Sequence, residues 1–145
     1  TSLFSHVVRC SSLENKVTLR ACDREHEHGD FVALTAFESG GISSLTEEPV
    51  RPILNSIRFK ANELHQIVDQ INTTGFGLTM GIHSRNETTY RWIEKHARVG
   101  NCYINRDQVG AVVGVQPFGG QGLSGTGPKA GGPHYLYRFT QTQFS

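Results

Sequence analysis

Apolar and polar residues follow two rhythms along this chain. Leu64, Ile67, Val68 and Ile71 recur at helical spacing and share one face, which predicts an amphipathic helix. Asn62 is its expected N-cap, and Gly75 with Gly77 its expected stop. A second helix is predicted over 86–98, capped by Ser84 or Asn86 and ended by Gly100, with Tyr90, Ile93 and Ala97 inward. Between and around them lie short runs with strand character. They are 31–37 (FVALTAF), 53–59, 78–83, 101–105, 110–115 and a closing strand at 135–144. Strands alternating with helices of this length predict an α/β fold with crossover connections and a largely parallel sheet. The first 28 residues read as a short helix followed by the polar run Asp23–His28.

Glycine changes the picture at the C-terminal side. Of the 16 glycines, ten lie between Gly100 and Gly132, so that stretch is expected to consist of turns and close backbone approaches. Length and charge then narrow the classes. At 145 residues the chain amounts to about one domain. A net charge of +1 removes the case for nucleic acid, which requires a basic face. The chain contains no apolar run near the ~20 residues of a membrane span and no signal-peptide pattern at its start. Cys10, Cys22 and Cys102 are too few for a disulfide framework, which favours a reducing, cytoplasmic setting.

Several motifs suggest chemistry. Gly120-Gln-Gly-Leu-Ser-Gly125 matches the dinucleotide fingerprint, yet that fingerprint works only where a helix starts at the loop and aims its N-terminus at the pyrophosphate. Here Pro128, Gly131, Gly132 and Pro133 follow, and no acidic residue occurs after Asp107. Pro128 likewise breaks the phosphate-loop pattern that 122–129 imitates. Cys102 sits in the apolar run NCYIN and reads as a small buried hydrophobe, because a nucleophilic thiolate needs a helix N-terminus or a positioned base. His26-Glu27-His28 lacks a third metal ligand and reads as a solvated loop; no metal site is expected. The stretch from Gly100 to Gly120 is more specific. Its glycine-bracketed loop could present consecutive peptide N–H groups to a carboxylate with no charged side chain; the bland alternative is a connector whose glycines only make turns.

The segments Gly100-Asn-Cys-Tyr-Ile-Asn-Arg106, Gly110-Ala-Val-Val-Gly-Val-Gln-Pro-Phe-Gly-Gly120 and Gly122-Leu-Ser-Gly-Thr-Gly-Pro-Lys-Ala-Gly-Gly-Pro133 closely resemble one family. It is the aldehyde dehydrogenases that oxidise glutamate semialdehyde, above all the pyrroline-5-carboxylate dehydrogenase modules of bacterial bifunctional proline utilization A proteins. Asp69-Gln-Ile-Asn-Thr-Thr-Gly-Phe-Gly-Leu78 and Tyr135-Leu-Tyr-Arg-Phe139 resemble it too, so the similarity spans about residues 29–141. The resemblance implies a partial aldehyde dehydrogenase catalytic domain at 29–134, a C-terminal oligomerisation strand and tail at 135–145, and an N-terminal segment, 1–28, of no assigned role. It implies a cytoplasmic enzyme of proline catabolism that uses NAD, with FAD only where a proline dehydrogenase module accompanies it.

By the same resemblance, the backbone amides of Gly110 and Ala111 anchor the α-carboxylate of glutamate semialdehyde and Phe118 walls the aldehyde pocket. Glu48 aligns with the glutamate that hydrogen-bonds the nicotinamide ribose. The family shows Glu-x-Phe-Gly-Pro there, whereas this chain has Glu48-Pro-Val-Arg-Pro52. The catalytic cysteine, general-base glutamate, oxyanion asparagine and NAD-binding half have no counterpart here, so no catalytic residue is assigned. The chain alone is expected to be inactive, with homo-oligomer contacts through its C-terminal strand and the rest of the dehydrogenase as a partner. A stand-alone binding or assembly module that kept the carboxylate loop is the alternative.

Overall fold

The computed structural model describes residues 16–21, 34–45, 53–109 and 111–141. The chain divides into two compact units, with the division after Ile67.

The first unit holds a three-stranded sheet in the order β1 (Lys16–Ala21), β2 (Leu34–Glu38), β3 (Ile53–Ser56). β1 pairs antiparallel with β2, and β2 pairs parallel with β3. Within β2 the side chains alternate, with Thr35 and Phe37 buried and Leu34 exposed, the pattern of a strand with one face on a core. The Ser39 N–H continues the ladder to the Ser56 C=O at 2.8 Å, and a single 3-10 turn at Ile42–Ser44 buries Ile42. β1 corrects the expected helix of the N-terminal stretch. KVTLRA is only six residues long, too short for a helix to stand alone, and as a strand its backbone groups are met by β2. The strand expected at 53–59 stops at Ser56.

α1 (Leu64–Thr73) carries the predicted stripe, with Val68 buried. Its start differs from the expected Asn62 cap. A 3-10 turn at Ala61–Glu63 leads in, and the Glu63 carboxylate accepts from the Lys60 backbone N–H at 3.0 Å, so a side chain from inside the turn satisfies a backbone donor at the entry. The helix ends where expected. The Thr74 N–H bonds back to Ile71 at 3.1 Å, and Gly75 takes φ +78, the left-handed conformation that glycine adopts after a helix end at least cost.

In the second unit, β5 (Thr79–Ile82), α2 (Glu87–His96) and β6 (Asn101–Ile104) form a β-α-β crossover, the two strands pairing in parallel. The Asn86 side chain caps α2 by accepting from the Thr89 N–H at 3.3 Å. Glu87 in its first turn, and Lys95 with His96 in its last, oppose the helix dipole. Two further asparagines fasten the crossover. Asn105, at φ +53, exchanges two hydrogen bonds with the backbone of Ser84, at 2.9 and 3.0 Å. Asn72 donates to the His96 C=O at 2.9 Å and accepts from the Arg98 N–H at 2.7 Å. β4 (Phe76–Gly77) and β7 (Gln121–Gly122) form a short antiparallel pair.

Two expectations about architecture are corrected here. In place of one largely parallel sheet, the described strands form three small sheets that mix parallel and antiparallel ladders. Each parallel pair lies within its own unit. The closing strand expected at 135–144 is a 3-10 helix at Tyr135–Phe139; residues 142–145 lie outside the described ones. A strand must hand its N–H and C=O groups to a neighbouring edge. Here they close locally instead, Tyr135 to Gly132 at 3.2 Å and Tyr137 to His134 at 3.3 Å.

Candidate functional site

The site is built on β6 and the glycine-rich chain that follows it. Asn101 and Tyr103 are buried on one face of β6, as a period of two requires. Both reach the segment that carries Phe118. The Asn101 side chain donates through Nδ2 to the Pro117 C=O at 3.0 Å and accepts through Oδ1 from the Gly119 N–H at 3.2 Å. Gln116 donates through Nε2 to the Tyr103 hydroxyl at 3.0 Å. On its other side Phe118 exchanges backbone hydrogen bonds with Ala130, at 3.0 and 2.8 Å. Gly100 completes the arrangement, because a Cβ there would drive into the Gly119 carbonyl. No other residue lets the strand lie this close to the loop.

Phe118 thereby lines an open cleft of about 520 Å³, with Leu78, the backbone of Gly119–Gly120, the 124–128 turn, Tyr135, Arg138 and Phe139 among its other walls. Tyr135 and Phe139 meet edge to face, their ring centroids 5.5 Å apart. Arg138 donates to the Thr126 C=O at 2.9 Å and also to its hydroxyl. Among the described residues, those around this cleft include one guanidinium and no carboxylate, and their field suits a neutral or anionic guest.

Of the other residues singled out from sequence, Ala111 is half-buried on the approach to Phe118 and does not line the cleft. The loop after it is a turn where a strand at 110–115 was expected. The Val115 N–H donates to the Val112 C=O at 3.0 Å, and Gly114 takes φ +80, the third-position geometry of a type II turn. That path abandons strand pairing and leaves Val112, Val113 and Val115 exposed, Val113 at 98%. Gly110, Glu48, Cys10, Cys22 and the His26–His28 run lie outside the described residues. Among the described residues no three His, Cys, Asp or Glu side chains gather to hold a metal ion, and no helix is long and apolar enough to cross a membrane.

The described residues do not fit a dinucleotide. The loop 120–125 leads into turns and Pro128, with no helix behind it, so no N-terminal dipole faces a phosphate. Its glycines are used for packing: a Cβ at Gly120 would meet Ser124, one at Gly122 would meet the Gly75 carbonyl, and one at Gly125 would meet the Gly120 carbonyl. Ser124 instead accepts the Gly77 N–H on its hydroxyl at 3.0 Å.

Cys102 is half-buried in β6, and its thiol is pushed above the ordinary range, first by desolvation and then by the charge of Glu94. A raised value means less thiolate at neutral pH, the reverse of what a nucleophile needs. Alkylation of Cys102 by iodoacetamide at pH 8 is expected to be slower than that of free cysteine, and to accelerate only at higher pH. Fast labelling at pH 7 would contradict the structural role.

Sequence reasoning had not singled out Asn101, Gln116 or Arg138. Asn101 did leave a signal, as a polar residue in phase with Tyr103 on the inward face of an apolar strand.

A model of the aldehyde dehydrogenase family matches residues 13–145. The bifunctional protein PutA of Klebsiella aerogenes is 52% identical over 120 residues, 83% of this chain and 9% of that protein. A crystal structure of a Bradyrhizobium japonicum proline utilization A variant superposes with a TM-score of 0.87 at 47% identity, covering 95% of this chain and 14% of the other. A 1-pyrroline-5-carboxylate dehydrogenase from Thermus with bound NAD superposes with a TM-score of 0.81 at 37% identity, covering 94% of this chain and 26% of that one. The chain therefore spans about a tenth of the length of the curated PutA relative it matches.

Proposed function

This chain belongs to the aldehyde dehydrogenase family, and from that premise we propose that it supplies the substrate-recognition part of an NAD-dependent L-glutamate γ-semialdehyde dehydrogenase acting in proline breakdown. The observation that carries this reading is the fixed Phe118 segment. The backbone on both sides of the ring is tied down by β6 and by residue 130, in a stretch whose sequence resembles the family's substrate loop. Relatives named for pyrroline-5-carboxylate dehydrogenase and for PutA support the substrate class.

On this reading the chain's residues bind and orient; they make no bonds. Backbone N–H groups at Gly110 and Ala111 hold the α-carboxylate of the semialdehyde, a charge-assisted contact that needs no buried cation. Phe118 packs against the carbon chain and keeps water from that side of the aldehyde. Holding the carboxylate at one end and the carbon chain along its length leaves the aldehyde carbon one place to sit, and such placement lowers the barrier by orientation alone. The oxidant, NAD, is bound in the longer protein by residues other than those described. Glu48 is the one candidate in this chain to touch its ribose. Residues 135–145 pair with a second copy of the protein in the assembled enzyme. Their exposed Leu136, Tyr137 and Phe139 give that pairing an apolar surface to bury.

The test is made on the full-length protein that carries this chain. With NAD it should form NADH from glutamate semialdehyde, with kcat/KM at least about a hundredfold above that for propanal, the difference that one or two hydrogen bonds to a charged group supply. Equal use of the two aldehydes, or no NADH from the semialdehyde, would refute the proposal.

A further inference from the structure

We propose that Asn101 is a positioning residue for the substrate pocket: its one amide grips the backbone on both sides of Phe118 and so sets where the ring stands. This rests on the reading of the chain as part of a glutamate semialdehyde dehydrogenase.

The bonding around Phe118 is closed. The Pro117 C=O receives the Asn101 amide, and the Gly119 N–H gives to the same side chain. The N–H and C=O of Phe118 itself are both taken by Ala130. Four consecutive backbone groups thus have fixed partners, and the ring keeps only its own side-chain torsions. Asn101 is 8% exposed, so water cannot replace its bonds without opening the strand, and each is worth more than it would be at the surface. Gln116, bound to the Tyr103 hydroxyl, steadies the entry to the same segment from the next inward position of β6. Removing the Asn101 amide frees the Phe118 backbone to drift, and a displaced ring gives up packing against the bound aldehyde, a loss of binding shared by ground and transition state.

Asn72 provides a matched control. It grips backbone in the same two-handed way, donating to His96 and accepting from Arg98, but it holds no part of the Phe118 segment. In the full-length protein, Asn101→Ala should raise KM for glutamate semialdehyde and for propanal alike, by about tenfold or more, with kcat within about threefold. Asn101→Asp keeps the acceptor for Gly119 but sets a buried carboxylate oxygen against the Pro117 C=O, so its KM should rise at least as far as in Asn101→Ala. Gln116→Ala, a milder change on the same segment, should raise KM by a few-fold and serves if the Asn101 variants fail to fold. Asn72→Ala should lower the melting temperature while leaving KM within about twofold.

Hydrogen–deuterium exchange supplies a readout independent of activity. The amides of Gln116, Phe118 and Gly119 should exchange faster in Asn101→Ala, and those near 96–98 should not. An unchanged KM in Asn101→Ala, or an equal rise in Asn72→Ala, overturns the proposal. If the wild-type protein forms no NADH at all, the dehydrogenase reading fails by itself and exchange decides the positioning. Protection lost at 116–119 alone upholds it, and unaltered protection there overturns it.

Discussion

The isolated 145-residue chain, mixed with NAD and glutamate semialdehyde, is expected to form NADH no faster than a buffer blank. Oxidation of an aldehyde by this chemistry needs a thiolate, a donor for the developing oxyanion and a bound nicotinamide in one geometry. The one cysteine among the described residues is held as a thiol by burial. The one fingerprint-like glycine loop spends its glycines on close backbone contacts and runs on into turns. Among the described residues, what remains is a cleft with one guanidinium and aromatic walls, and no carboxylate or imidazole lines it. Binding without those groups leaves the barrier where water leaves it. NADH formation that depends on the chain and vanishes in Cys102→Ala would overturn both this expectation and the structural role given to that cysteine.

Elements whose signals are local were legible in the sequence. α1 follows from four apolar residues on one face and from a glycine at its end. α2 follows from Asn86, whose side chain caps it one residue before the first helical turn. β5 and β6 appeared within a residue of their expected bounds, because a crossover helix between two short apolar runs has few other ways to bury them. Elements that depend on distant partners were less legible. β1 needs the edge of β2 to be a strand at all. The 135–139 segment has strand-like composition, yet no described edge receives it, and it closes on itself.

The site divides along the same line. Phe118 came from resemblance in sequence, and the glycine count announced close contacts without saying which. Only in the folded chain does Gly100 meet the Gly119 carbonyl, and only there does Asn101, polar in an apolar strand, face inward to grip the loop. Periodicity could place Asn101 on the buried face, but no periodicity reports a partner 16 and 18 residues away.

Carboxylate recognition by the loop that begins at Gly110 is the central claim, and one substitution measures it. On the proposed reading, Gly110→Val in the full-length protein puts a β-branched side chain on the carboxylate loop and keeps Phe118, Asn101 and Ala130 in the sequence. Hydrogen bonds to a charged group contribute about 1.5–3 kcal/mol each, so losing one lowers kcat/KM by about tenfold to a hundredfold, and losing two by more. Propanal has no carboxylate and should lose little. The quantity to measure is therefore the ratio of kcat/KM for glutamate semialdehyde to that for propanal, in wild-type and Gly110→Val protein. A fall in that ratio of about a hundredfold, arising mainly from KM for the semialdehyde, is the expected result; equal losses on both aldehydes would contradict the account.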